Sequence, residues 1–177
     1  MRDIIENLVK YKTVSYQDKV QDFANLPEKC KDMFFQYLEE SERNGNDGYL
    51  FFYIYCFNYG ECKSPIEKIF YMAFRIISFE LGEPVHIIPQ SEITSSGNRY
   101  VTDFLFDTNR EECASQFYKY NCPFKVAIEC DGYEFHNSTK KQVARDNSRN
   151  LDLKMAGYDV IHFSGTEIYR NPWECAL

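Results

Sequence analysis

Three carboxylates stand on or beside two apolar segments of the chain. Asp103 lies inside the segment 99–107, and Glu129 and Asp131 stand two positions apart at the end of the segment 125–131. Side chains two apart on a β-strand project from the same face, so Glu129 and Asp131 would repel unless a proton or a cation relieved them. Taken singly, each acid reads as an ordinary strand-end residue in solvent. With Asp103 on a neighbouring strand, the three together predict a site for Mg²⁺, which prefers oxygen ligands.

Two more residues are candidates for the same chemistry. Glu67 stands three positions after Ser64 at the start of a helical pattern, so it has a structural explanation as the acid of a capping box and a functional one as an active-site acid. His136 follows the second strand by five positions. An imidazole with a pKa near neutrality could act as a general acid or base there, or bind a metal ion.

A basic segment follows these acids in an otherwise acidic chain. The net charge is -7, yet five basic and two acidic residues lie between positions 136 and 154. Basic residues four apart share one face of a helix, and such a stripe is commonly no more than a solvated face. Beside a metal site it could instead contact phosphates. The predicted nucleic-acid contacts are Lys140, Lys141, Arg145 and Arg149.

The elements that would position these residues alternate between helices and strands. The patterns predict a helix over 64–81 ended by Gly82, strands over 85–93 and 99–107 joined by a turn at 95–98, a strand over 124–131, a helix over 141–156, a strand over 158–163 and a short helix from Gly165. This order predicts an α/β fold with a mixed sheet flanked by helices. The first sixty residues read as helices, one of them over 30–43. We therefore expect a helical N-terminal extension over 1–60 and a core over 61–177.

Composition limits the class of protein. With 177 residues, 44% of them apolar, the chain can bury a core. No apolar run reaches the length of a membrane span, and charges interrupt the N-terminus where a signal peptide needs an apolar stretch. The seven cysteines form no CxxC pair, which favours reduced thiols over a zinc site. We expect a cytoplasmic protein that makes no membrane contact.

Four separated runs resemble a nuclease family. They are Val101-Thr-Asp-Phe, then Val126-Ala-Ile-Glu-Cys-Asp-Gly-Tyr-Glu-Phe-His, then Ala144-Arg-Asp-Asn-Ser-Arg, then Leu153-Lys-Met-Ala-Gly-Tyr-Asp-Val-Ile-His-Phe. Together with the helix glutamate they resemble the very-short-patch-repair-like endonucleases and are similar to the small bacterial DUF559 proteins and the EDxHD homing endonucleases of the PD-(D/E)XK superfamily. The resemblance runs from residue 64 to about residue 176. It implies a restriction-endonuclease-like core and metal-dependent hydrolysis of DNA.

The resemblance also implies roles for individual residues. Asp103 is the implied central metal ligand, with Glu129 and the Cys130 backbone carbonyl beside it. Asp131 stands where other nucleases of this class have Lys or His, and it is kept as a catalytic and metal-ligand candidate. The implied remaining members of the site are His136 as general acid or base and the helix acids Glu67 and Asp146. The implied cofactor is Mg²⁺, with Mn²⁺ as a substitute.

Other functions are compatible with the same residues. A nuclease-fold module without activity could bind nucleic acid or a protein, and an RNA-directed nuclease could share the site. The expected partner is DNA, while the N-terminal helices could bind a protein. The aromatic run over 49–59 could supply the apolar surface of a homodimer.

Overall fold

A computed structural model describes residues 26–43, 59–80, 86–108, 124–132 and 139–177. The predictions made for His136, for Gly82 and for the aromatic positions 49–58 lie outside these ranges. The chain divides into two compact units, Met1–Gly60 and Glu61–Leu177. No helix within the described ranges is both long and apolar enough to cross a bilayer.

The described part of the first unit contains one long helix, α1, over Glu28–Arg43. The sequence predicted this helix over 30–43. It begins two residues earlier because the Pro27 carbonyl accepts the Lys31 N–H at 3.3 Å, which closes the first turn. Apolar positions at spacings of three and four form its buried face: Cys30, Met33, Phe34 and Tyr37.

The second unit is an α/β structure built on a four-stranded mixed sheet. Its elements in chain order are α2 (Pro65–Glu80), β1 (Ile88–Ser95), β2 (Asn98–Asp107), β3 (Lys125–Asp131), α3 (Lys140–Met155), β4 (Asp159–Ser164), α4 (Gly165–Arg170) and α5 (Pro172–Ala176). The strands lie in the order β1-β2-β3-β4. Neighbours are antiparallel except β3 and β4, which are parallel and connected through α3. The predicted α/β fold with a mixed sheet flanked by helices is confirmed.

The hairpin between β1 and β2 has a two-residue turn. Ser95 pairs with Asn98, and Ser96 and Gly97 between them have φ values of 51° and 78°. Positive φ at both central residues is the geometry that matches the right-handed twist of the strands, and Gly adopts it without strain. Because the turn is this tight, β1 continues to Ser95, two residues past its predicted end.

Helix α3 has clear signals at both ends. The Thr139 side chain accepts the Gln142 N–H at the N-terminus. At the C-terminus, Gly157 has a φ of 89°, and the Tyr158 N–H returns to the Leu153 carbonyl at 3.1 Å. Gly157 takes this left-handed conformation at low cost and turns the chain directly into β4.

Apolar residues cover both faces of the sheet. On one face Leu153 of α3 and Tyr158 pack with Leu105 and Ala127 in a buried cluster. On the other face the Phe70 ring of α2 lies 5.2 Å from the Phe104 ring and 5.7 Å from the Phe163 ring. Burying each such side chain contributes roughly 1.5–3 kcal/mol, so the two helices are held firmly against the strands.

Candidate functional site

The strands β2 and β3 stop pairing close to the predicted acidic site. Their antiparallel register joins residues 104–107 to residues 125–128. Residues 101–103 of β2 and 129–131 of β3 lie just beyond the paired residues at the same end of the two strands. These two segments are here called the β2–β3 fork. Asp103, Glu129 and Asp131 all belong to it. The predicted acids therefore lie where the sheet opens.

Side chains take over backbone hydrogen bonding in the β2–β3 fork. The Cys130 N–H donates to Asp103 Oδ2 at 2.7 Å, and Arg149 Nη2 donates to the Val101 carbonyl at 2.7 Å. A buried backbone group left without a partner costs about 1–3 kcal/mol, so the bond from the part-buried Cys130 N–H compensates the opening of the strands. The fork can thus hold charged side chains inside an otherwise apolar sheet.

Gln90 of β1 connects two of the acids. Its Nε2 donates to Glu67 Oε2 at 2.9 Å and lies 3.4 Å from Asp103 Oδ1. Burial raises the pKa of Asp103, with repulsion from Glu67 adding to it, while the Cys130 N–H and the Gln90 amide act in the opposite direction. A single amide therefore bridges two carboxylates that repel each other.

The backbone of Gln90 is strained. It lies across from Asp103, between the pairs Pro89–Phe104 and Ser91–Thr102, and has a φ of 50°. A non-glycine residue in this region carries a cost of about 1–3 kcal/mol, and such strain occurs preferentially at functional sites. No sequence pattern indicates this conformation, and Gln90 was not among the predicted site residues.

Glu67 lies at the start of α2, and its side chain also reaches a residue that contacts Asp103. Its N–H donates to the Ser64 hydroxyl at 3.2 Å, as expected at the start of α2. Its carboxylate accepts the Lys63 N–H at 2.8 Å as well as the Gln90 amide, and the residue is only 5% exposed. Glu67 is thus a helix-start residue whose carboxylate points toward Asp103.

Glu129 is a buried acid with a cationic partner. The residue is 8% exposed, and its Oε1 accepts from Arg149 Nη2 at 2.6 Å. Burial raises the pKa of Glu129 to about 7, although Arg149 acts to lower it, and repulsion from Asp103 raises it further. Arg149 stabilises the charge, but not enough to offset the loss of water.

Asp131 pairs with a histidine that sequence reasoning missed. His162 Nδ1 lies 3.0 Å from Asp131 Oδ2, and its Nε2 lies 3.1 Å from Asn150 Nδ2. The pKa of His162 is raised, mainly by its hydrogen bond to Asp131. His162 stands beside Glu129 in the parallel register of β3 and β4, and no local pattern in β4 distinguishes it.

The predicted basic residues separate into two groups. Lys140, Lys141 and Arg145 are exposed, as a nucleic-acid contact requires. Arg149 turns inward to the β2–β3 fork, with a side-chain exposure of 24%. Asp146 is half-buried on the same helix, and its side chain forms no hydrogen bond with the other described residues. His136 is not among the described residues.

A Mg²⁺ ion at the β2–β3 fork would have only a small set of protein ligands. Among the described side chains, no group of three or more His, Cys, Asp or Glu is arranged to hold a metal ion. Mg²⁺ commonly takes only one or two carboxylates and completes its shell with water and phosphate oxygens. Asp103 and Glu129 repel each other and could serve with the Cys130 carbonyl. Asp131, expected to join them, has its Oδ2 engaged by His162.

The chain has no match among family models, curated proteins or solved structures.

Proposed function

We propose that this protein is a Mg²⁺-dependent endonuclease that hydrolyses DNA phosphodiester bonds, on a restriction-endonuclease-like core. The observation that carries the proposal is the convergence of Glu67, Asp103 and Glu129, from three different elements, on the β2–β3 fork. Repulsion from Glu67 raises the pKa of Asp103, and repulsion from Asp103 raises the pKa of Glu129. A buried cluster of like charges favours a cation, and a cation beside a phosphate is the usual requirement of phosphodiester hydrolysis.

Residues of the β2–β3 fork would hold the ion. In this proposal the ligands are Asp103, Glu129 and the Cys130 carbonyl, with Mn²⁺ as a substitute metal. When bound, the ion supplies Lewis-acid activation of the phosphodiester. The Gln90 amide donates to Asp103 Oδ1 and to Glu67 Oε2. The bond to Glu67 holds the amide in place, and the amide in turn orients Asp103.

Protons and phosphates would be handled by residues around the β2–β3 fork. His162 is held by Asp131, which favours its protonated form and fixes its ring. It is therefore a candidate proton donor, alongside His136 as the sequence proposes. The exposed cations Lys140, Lys141 and Arg145 would contact phosphates flanking the bond that is cut.

Cleavage of supercoiled plasmid tests this proposal. We expect nicking or linearisation with Mg²⁺ or Mn²⁺ and none with EDTA. Asp103→Asn and Glu129→Gln should abolish it, while Glu92→Gln, an exposed acid on β1, should leave it unchanged. Circular dichroism of each variant establishes that the fold is kept. Full activity in Asp103→Asn would contradict the proposed site, and cleavage of a matched RNA instead of DNA would reassign the substrate.

One arrangement favours a second candidate, a binding module without catalysis. Both acids of β3 already have basic partners: Arg149 pairs with Glu129, and His162 pairs with Asp131 as a cation when its ring is protonated. Such pairs can stabilise carboxylates without any metal ion. Under this alternative DNA, RNA or a protein partner would bind equally well in EDTA, and no divalent ion would produce cleavage. The DNA affinity measured with and without Mg²⁺ therefore separates the two functions.

A further inference from the structure

Arg149 places a fixed positive charge on one of the proposed metal ligands. Its Nη2 lies 2.6 Å from Glu129 Oε1 and 2.7 Å from the Val101 carbonyl oxygen. The guanidinium thus spans the two arms of the β2–β3 fork. Its positive charge acts to lower the pKa of both Asp103 and Glu129, the two carboxylates of the proposed ligand set.

This position is the one in which a divalent ion and Arg149 would interfere. A carboxylate as buried as Glu129 needs a cationic partner when ionised, and Arg149 supplies it. A metal ion on the same carboxylate would bring two cations within a few ångströms in a site with little water. At such short range two positive charges repel strongly, because little solvent lies between them to screen the interaction. Glu129 therefore cannot bind both the metal ion and Arg149 with full affinity.

A bound nucleic acid would offer the Arg149 guanidinium an alternative partner, a phosphate group. Its side chain is 24% exposed, so the guanidinium is accessible from outside the β2–β3 fork. Guanidinium groups bind phosphates through paired hydrogen bonds. The exposed Lys141 and Arg145 lie on the same helix and would bring a phosphate backbone alongside it.

We infer that Arg149 competes with the divalent ion for Glu129, and that a nucleic-acid phosphate removes this competition by drawing the guanidinium away. Arg149 is then a positioning residue that makes metal binding depend on substrate. The inference rests on the proposed function, because it assumes the metal at Asp103 and Glu129. By linkage, the metal must strengthen the binding of nucleic acid by the same factor as nucleic acid strengthens the binding of metal.

The test measures Mn²⁺ affinity by electron paramagnetic resonance of the free ion, using the full chain with and without a short phosphorothioate DNA duplex. Binding of Mn²⁺ to the duplex alone is subtracted. The variants are Arg149→Gln and, as the matched control, Arg170→Gln, which removes the same charge from an exposed position that is not among the proposed DNA contacts. Thermal unfolding in EDTA establishes that each variant is folded, and Arg149→Lys provides a second variant that keeps a positive charge.

Without DNA, we expect Arg149→Gln to bind Mn²⁺ about tenfold more tightly than the wild type, and Arg149→Lys about threefold more tightly, since lysine pairs less well with a carboxylate. Arg170→Gln should match the wild type. The duplex should raise Mn²⁺ affinity about tenfold in the wild type and less than about threefold in Arg149→Gln.

Two results would overturn the inference in different ways. Equal or weaker Mn²⁺ binding by Arg149→Gln, with clear binding by the wild type, refutes the competition and leaves the proposed metal site standing. Absence of Mn²⁺ binding in every variant, with and without the duplex, removes the proposed metal site and the inference together.

Discussion

The buried carboxylate of Glu129 leads to an unusual expectation: neutralising a candidate active-site acid should stabilise the protein. Burial raises the pKa of Glu129 from an ordinary 4.5 to about 7. Between these two pH values the folded chain binds more protons than the unfolded chain, so stability falls as pH rises through this window. Above pH 7 the ionised side chain lowers the free energy of unfolding by about 3 kcal/mol relative to its protonated form.

Glu129→Gln removes this penalty while keeping the shape of the side chain. The amide oxygen can still accept the Arg149 hydrogen bond. We expect the variant to be more stable than the wild type by about 2–3 kcal/mol at pH 8, and by close to nothing at pH 4.5, where the folded wild type holds this side chain neutral. The size of the gain should therefore follow the titration of a single group.

The measurement is urea unfolding from pH 4.5 to pH 8.5 in EDTA, followed by the fluorescence of Trp173, the one tryptophan of the chain. The control is Glu92→Gln, whose side chain is 55% exposed and which should change stability by less than about 0.5 kcal/mol at any pH. A Glu129→Gln variant less stable than the wild type at pH 8 would refute the reasoning. So would a gain that is the same at both ends of the pH range, since burial of the charge would then not be its cause.

Three further predictions follow from the fold and the site. Gln90→Ala should lower the free energy of unfolding by about 2 kcal/mol at pH 7, because two carboxylates lose a shared hydrogen-bond donor. Urea titration measures this loss, and a value below about 0.5 kcal/mol would show that the bridge is unimportant. Gly157→Ala should lower the free energy of unfolding by about 1 kcal/mol because alanine is strained at this positive φ. The added Cβ would meet no clash, since the nearest side-chain atom, on Lys125, lies 4.0 Å away. An unchanged melting temperature would contradict this prediction. Lys141→Gln and Arg145→Gln should each weaken DNA binding alike for all sequences and reduce its salt slope by about 1, as measured by fluorescence anisotropy; a sequence-dependent loss would indicate base contacts instead.

The order and type of the elements in the second unit could be predicted because local signals agree with the tertiary structure. Ser64 begins α2, the Ser96-Gly97 turn closes the hairpin, and Gly157 ends α3, each through chemistry contained in a few neighbouring residues. The position of Glu129 and Asp131 on one face of β3 likewise followed from the two-residue period of a strand. These inferences need no knowledge of how distant segments meet.

The remaining features of the site depend on distances that no local pattern encodes. Gln90 reaches Glu67 from a backbone with a strained φ, which a glutamine in a strand does not indicate. Arg149 shares a stripe with Arg145 on the helical pattern, but the packing of α3 turns Arg149 inward and leaves Arg145 outside. His162 reaches Asp131 only because β4 returns parallel to β3.

The β2–β3 fork also bears on how the protein acquires its site during folding. The hairpin β1–β2 and the β3–α3–β4 unit each form from residues close in sequence, whereas the fork joins residues as far apart as Val101 and Arg149. Pairings between distant segments form late, because closing a long loop costs entropy before its contacts are made. Asp103 therefore accepts the Cys130 N–H only in a chain in which β2 lies beside β3. A chain in which the hairpin and the β3–α3–β4 segment are not packed together contains every acid of the site but not the site itself.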